Sequence, residues 1–205
     1  MNNAYYDTPR LDLLKHIPQG AQTILDVGCG TGALGVAIKE KCGNQIEVHG
    51  IEINSKVAKI AQNRLNTVQI GNIESLDLPY NPNFFDCIVY GDVLEHLVNP
   101  WEIIKKHKTI LSKTGCMIAS IPNIAHYKII KMLKKGLWEY QDSGIMDKTH
   151  LRFFTKSTML DLFVQAELKP VIIDKRLIGN EFWRIRDKIF NSEHCVQQFI
   201  IRAIQ

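Results

Sequence analysis

Residues 24–32 read ILDVGCGTG, and no other stretch of the chain restricts the fold as tightly. A run of β-forming residues ends in an acid. Gly28, Gly30 and Gly32 then alternate with single residues, and a helical pattern follows at once. A strand that turns through glycines into a helix lets the backbone approach a ligand, and the unpaired N–H groups at the helix start point towards it. Such a unit belongs to an open sheet of parallel strands whose ligands collect at the strands' carboxyl ends.

The following residues keep that rhythm. TILDVG (23–28) predicts a buried strand and Gly32 to Cys42 its helix; IEVHGIE (46–52) predicts the second strand. Ser55 is positioned to cap a helix over Lys56 to Leu65, and TVQIG (67–71) reads as a short third strand. FDCIVYG (85–91) is apolar almost throughout, as a strand buried on both faces should be. Pro100 opens a helix running to about Leu111, and Gly115 to Ile121 forms a fifth strand stopped by Pro122. Thr155 caps a helix over Lys156 to Glu167; VIIDKRLI (171–178) and VQQFIIRAI (196–204) are two further strands, one of them antiparallel. They are joined by an irregular stretch around Glu181 to Ile189. Alternating strands and helices predict an α/β, doubly wound, mostly parallel sheet. With 205 residues the chain reads as a single domain, 1–205, carrying an insertion at about 122–154.

Composition excludes several classes. The five cysteines are odd in number and form no C-x-x-C pair, so neither a zinc site nor a disulfide framework is indicated, and no metal is assigned. Reduced thiols fit a cytoplasmic setting. MNNAYYDTPR lacks a signal pattern, and no apolar run reaches the ~18 residues of a membrane span, which leaves at most peripheral contact. A net charge of +4, unclustered outside the insertion, gives no track for nucleic acid.

Two acids select the ligand. Asp26 precedes the first glycine by two residues, where a carboxylate repels a pyrophosphate and suits an ammonium and a sulfonium. Ala33 stands where a dinucleotide fingerprint has its third glycine, and no lysine follows in P-loop register. Glu52, ending the second strand, can accept two ribose hydroxyls. The plainer reading, in which both acids only cap strand ends, holds for either alone and weakens for the pair in one strand–helix–strand unit. These features point to S-adenosylmethionine and argue against a nicotinamide cofactor.

The blocks ILDVGCGTG, GIEIN and FDCIVYGDVLEHL resemble those of the class I S-adenosylmethionine-dependent methyltransferases over roughly residues 20–170. The resemblance implies a seven-stranded Rossmann-like sheet with the last strand antiparallel. It further implies that Gly28, Cys29, Gly30 and Gly32 line the methionine end above Asp26, that Glu52 holds the ribose and that Ile53 covers adenine. Where the family usually has an aspartate for the adenine amine, this chain has Asn72, followed by Ile73; Asn72 is equally a turn residue. Gly91 and Asp92 are expected to face the sulfonium. Tyr6 and Arg10, on an amphipathic segment over residues 5–18, are expected either to reach the methionine carboxylate or only to pack.

The acceptor end rests on GDVLEHL and the insertion. His96 is a candidate base or a packing residue, and His150, between Asp147 and Arg152, is the first choice as base. Asn123, His126, Tyr127, Trp138, Tyr140, Asp147 and Arg152 are the candidate substrate contacts, aromatic faces with a few polar groups. Tyr127, Ile130, Leu133 and Leu137 mark one helical face, and Lys128, Lys131 and Lys135 another. The blocks IPN-x-x-H and GIMDKTHLRFFT are similar to those of methyltransferases found with bacterial cell-surface glycosyltransferases, and more distantly to ubiquinone-pathway O-methyltransferases. They imply O-methylation of a saccharide or glycan precursor, or alternatively of a phenolic precursor. The absence of an N/D-P-P-Y motif disfavours nucleobase amines. A non-catalytic S-adenosylmethionine-binding protein is the remaining alternative, against which the organised insertion argues.

Overall fold

The computed structural model describes residues 7–177 and 193–205. Seven strands form one sheet in the order β3-β2-β1-β4-β5-β7-β6. They are β1 (Thr23–Val27), β2 (Glu47–Glu52), β3 (Thr67–Ile70), β4 (Phe85–Gly91), β5 (Leu111–Pro122), β6 (Lys169–Leu177) and β7 (Val196–Ile204). All pairs from β3 through β5 are parallel, whereas β7 runs antiparallel between β5 and β6. The doubly wound, mostly parallel sheet expected from the pattern is therefore present. Tyr6 and the stretch from Glu181 to Ile189 lie outside the described residues.

Period-two alternation divides each central strand between two apolar layers. Leu25, Val27, Ile88 and Tyr90 face one layer, which also holds Met159, Leu162 and Phe163 of helix α6 (Lys156–Val164). Ile24, Cys87 and Val89 face the other, with Leu34, Ala37 and Ile38 of helix α2 (Ala33–Cys42). Full burial of each such Leu or Ile is worth roughly 1.5–3 kcal/mol, so a sheet covered on both faces is the stable use of these runs. From β1 the chain first winds outward to β2 and β3, then returns to β4 on the opposite side. That reversal leaves a crevice beyond the carboxyl ends of β1 and β4.

Several boundaries differ from the sequence reading. Asn54, not Ser55, caps α3 (Ser55–Ala61), accepting from the N–H groups of Lys56 at 3.1 Å and Val57 at 3.4 Å. Helix α4 (Pro100–Lys108) stops short of Leu111, which already belongs to β5. Helix α6 has its Thr155 cap, with a reciprocal bond from Thr158, but ends before Glu167, whose φ of 57° is left-handed. The segment over residues 5–18 contains only one helical turn, α1 (Leu11–Leu14), held by the buried Leu13 and Leu14. In helix α5 (Tyr127–Leu133) the inward residue is Ile129, packed with Ile145 and Met146, while Leu133 and Leu137 are exposed. The inward face runs through Ile129 and Met132, one position before the face inferred from Tyr127, Ile130, Leu133 and Leu137, and α5 ends before Leu137.

Gly50 in β2 lies opposite Asp26, and a Cβ there would stand 2.6 Å from the Cys29 sulfur and 2.8 Å from Leu65. Gly50→Ala is expected to lower stability by about 1–3 kcal/mol through overpacking, seen as an earlier urea midpoint. An unchanged midpoint would show that the glycine loop rests on β2 less tightly than the packing indicates.

Candidate cofactor and acceptor site

The glycine loop is strapped to the end of β2. The N–H groups of Gly28 and Cys29 both donate to the Ile51 carbonyl, at 2.8 and 3.0 Å. Gly28 has a φ of 74°, and a Cβ on it would meet Val93 at 2.6 Å, so this turn admits only glycine. The Glu52 carboxylate is buried and accepts from the Gly30 N–H at 3.0 Å and the Asn54 N–H at 2.8 Å. Each of its oxygens keeps a lone-pair site after those bonds. Asp26, 4% exposed, accepts no side-chain hydrogen bond from any described residue. Burial, and then the Glu52 charge, push its carboxyl up to about 7, against the pull of Arg10.

Other expected contacts are placed differently. The Cys29 side chain turns into the core beside Gly50, where burial pushes the thiol up, leaving only its backbone at the loop. Gly32 starts α2 and donates to the Cys29 carbonyl at 2.8 Å. Ile53 is 68% exposed and offers a free apolar face, whereas the Ile73 side chain is in the core. Asn72 behaves as a turn residue, its side-chain oxygen accepting from the Glu74 N–H at 3.0 Å.

Beyond β4 a polar network surrounds Asp92, whose φ of 59° turns the chain sharply after Gly91. Arg10 pairs with Asp92 at 2.6 Å and, through two nitrogens, with Asp12 at 2.9 Å. Ser120 donates to Asp92 at 2.8 Å, and the Gln198 amide donates to the same carboxylate. Sequence reasoning missed Ser120 and Gln198. Ser120 stands near the carboxyl end of β5, a position at which the general rule for such sheets would have flagged it. Gln198 carries no motif; it arrives because β7 runs backwards and pairs Gln198 with Pro122.

The candidate acceptor residues gather around the 3-10 turn Leu94–His96. His96 and His150, far apart in sequence, meet edge to face with ring centroids 4.8 Å apart. His150 Nδ1 lies 3.0 Å from the Ile145 carbonyl, and His96 Nδ1 lies 3.2 Å from the Thr149 carbonyl. A carbonyl can only accept, so each ring donates from Nδ1 and keeps its lone pair on Nε2. Burial holds His150 below the usual imidazole range. The Glu95 carbonyl accepts from the N–H groups of Leu151 and Arg152, each at 2.9 Å, fixing the two segments together. The Glu95 side chain, which sequence reasoning passed over within LEHL, is 1% exposed, and neither carboxylate oxygen has a partner among the described residues.

The candidate substrate contacts separate into two groups. Asn123 is fully buried and clamps its segment, donating to the carbonyls of Glu193 and Val196 at 2.9 Å and accepting from the Ala125 N–H. Arg152 donates to the Val98 carbonyl at 3.0 Å and lies 5.9 Å from the Trp101 ring centroid. Asp147 closes its own turn on Thr149, and buried His126 caps α5, accepting from the Lys128 N–H. All four make hydrogen bonds that hold their own segments in place. Trp138 and Tyr140 remain exposed, with Phe153 edge-on to Trp138 at 5.2 Å, and Tyr127 is half-buried beside His126.

The sequence family described as a methyltransferase domain matches residues 19–176, and the chain belongs to it. The demethylmenaquinone methyltransferase of Shouchella clausii is 25% identical over 183 residues, which cover 80% of this chain and 78% of that protein. The ubiquinone biosynthesis O-methyltransferase of Albidiferax ferrireducens is 25% identical over 170 residues, covering 75% and 66%. The crystal structure of a SAM-dependent methyltransferase from Archaeoglobus fulgidus shares the fold with a TM-score of 0.68 at 18% identity, covering 100% of this chain and 95% of that one. The protein is an S-adenosylmethionine-dependent methyltransferase. No helix among the described residues is long and apolar enough to cross a membrane.

Asp26 makes the ligand-free protein sensitive to pH. Its folded pKa of about 7 exceeds the ordinary 3.8, so between those values the folded state holds the extra proton. Stability therefore falls as pH rises from about 4 to about 7, by up to about 1.4 kcal/mol for each pH unit crossed, and is level above. Asp26→Asn should unfold at a higher temperature than the wild type at pH 8, with a smaller gap at pH 5. A gap that does not change with pH would refute the burial of an ionisable Asp26.

Proposed function

We propose that the enzyme methylates a hydroxyl oxygen on a small, ring-bearing acceptor, with the cofactor beside β1 and β2 and the acceptor over the Leu94–His96 turn. The carrying observation is the pair of imidazoles whose Nε2 lone pairs are set free by backbone carbonyls. The cofactor fits the residues present: a desolvated Asp26 carboxylate, without a side-chain donor among the described residues, suits an ammonium. Glu52 has lone pairs left for ribose hydroxyls, and Ile53 supplies an apolar face for adenine. Bound S-adenosylmethionine supplies a methyl group on a positively charged sulfur.

The chain's own part is positioning and proton handling. Alignment of reacting groups is worth up to ~7–11 kcal/mol in favourable cases, and the Arg10–Asp92–Ser120–Gln198 network holds the wall against which alignment is set. A hydroxyl must lose its proton as the new bond forms; His150 first, and His96 second, are the groups placed to take it, an effect worth about 10²–10⁴-fold. The segment over residues 122–154 is the lid, with Trp138 and Tyr140 as open faces for a ring. The relatives named for demethylmenaquinone and for ubiquinone biosynthesis favour a ring of the quinone type, and exposed aromatic faces equally accommodate the apolar side of a sugar ring.

Calorimetry with S-adenosylhomocysteine is expected to show one site per chain, weakened about ten-fold or more in Glu52→Ala. Labelled methyl groups should enter a low-mass acceptor as an alkali-stable ether when phenols and glycosides are offered separately. His150→Ala should reduce that transfer by about 10²-fold or more with cofactor binding kept. Label found only in protein or nucleic acid would overturn the acceptor class.

A further inference from the structure

Glu95 presents a problem that methyl transfer alone does not resolve. A carboxylate 1% exposed, with both oxygens lacking a hydrogen-bond partner among the described residues, bears a desolvation cost that Arg10, already shared with Asp12 and Asp92, offsets only in part. Its neighbours are not random. One ligating atom each from Glu95, His96 and His150 lies within 4.8 Å of the other two. Both rings donate Nδ1–H to main-chain carbonyls, the outer bond that fixes the tautomer of a metal-binding histidine with Nε2 facing the ion. Thr149, which also bonds His96 through its hydroxyl, donates in turn to Asp147 at 2.6 Å, so that ring is held by a chain of bonds.

We infer that Glu95, His96 and His150 form a binding site for one divalent transition-metal ion, of the zinc, cobalt or manganese type, at the acceptor end of the enzyme. Two imidazoles and one carboxylate are a donor set for such ions and leave further positions open. Bonds of about 2.0–2.2 Å would set the three ligating atoms roughly 3.0–3.8 Å apart around one ion, so closing from within 4.8 Å needs each pair to approach by up to about 1–2 Å, shared between two side chains. Three further features fit this better than packing. The three residues come from two segments joined through the Glu95 carbonyl, the carboxylate has no other partner among the described residues, and the partly exposed His96 gives an entry route. The site deepens the acceptor reading and rests on it for its purpose. A hydroxyl oxygen on the ion would release its proton to solvent more readily because the ion's charge lowers its pKa. The histidines would then hold the ion rather than take the proton.

The test needs neither cofactor nor acceptor. Tag-free full-length protein, dialysed against a chelator and then freed of it, is titrated with Co²⁺ and followed by visible absorption and by metal analysis. About one ion per chain is expected, with Zn²⁺ displacing it. Glu95→Gln, His96→Asn and His150→Ala should each weaken binding ten-fold or more, with unfolding temperature and S-adenosylhomocysteine binding used to confirm that they fold. His194→Ala, outside the cluster, should bind as the wild type does. Absence of stoichiometric binding, or cluster variants that bind as tightly as the parent, overturns the site. Ion binding without hydroxyl methylation keeps the site and removes the acceptor reading. Hydroxyl methylation by demonstrably metal-free protein keeps the acceptor reading and overturns the ion's part in it.

Discussion

The structure turns on the attachment of one loop to one strand end. Two N–H groups of the Gly28–Cys29 turn share the Ile51 carbonyl, and the Gly30 N–H is taken by Glu52. Those bonds satisfy backbone donors that a tight turn would otherwise leave unpaired. They also bring Glu52 close enough to Asp26 for the two charges to oppose each other inside the protein. The same contacts that close the loop thus create an acidic crevice. A side chain on Gly28 of the loop or on Gly50 of β2 would collide with Val93 or with Cys29, so fold and electrostatics depend on the same absent atoms.

The opposite wall is built by a different route. Asp92 turns at positive φ directly after β4 and receives Arg10 from the amino-terminal segment, Ser120 from β5 and Gln198 from β7. Four separate parts of the chain therefore meet on one carboxylate. The reversed direction of β7 is what makes this geometry available, because the beginning of β7 reaches the same edge as the end of β5. The antiparallel strand is then more than a closing element for the sheet: it adds a donor where parallel strands would present only their carboxyl ends.

Much of this architecture is legible in the sequence, and the exceptions have physical reasons. Strands β1 and β4 can be read because both their faces are buried, so their apolar runs are continuous. Asp26 and Glu52 can be read because one is the penultimate residue of β1 before a glycine-bearing turn and the other ends β2 before a helix start. Helix ends are less visible, since Asn54 and Ser55 are both good caps and only the bonds to Lys56 and Val57 decide between them. Asn123 and Arg152 look like ligand-binding residues by type, yet their partners are backbone carbonyls supplied by distant segments, which no local pattern announces. Glu95 is hidden for the opposite reason. In a short LEHL turn a glutamate reads as solvent-facing, and its main chain is held by Leu151 and Arg152, which come from a segment that no local pattern connects to it.

Charge along the strand ends forms the last link. Asp26, Glu52, Asp92 and Glu95 lie on the carboxyl side of β1, β2 and β4, and three of the four are buried. Among the described residues Arg10 is the cation that opposes Asp26 and Glu95 electrostatically, and it is already shared with Asp12 and Asp92. A fold does not gain stability by accumulating desolvated carboxylates, because the cost of removing each from water exceeds what one guanidinium returns. Such a group is retained where positively charged ligands complete it. On the readings proposed above, a cationic cofactor would answer the acids of β1 and β2 and a metal ion would answer Glu95. The crevice and the acceptor corner are then two instances of one arrangement, carboxylates held dry by the sheet until a cation arrives.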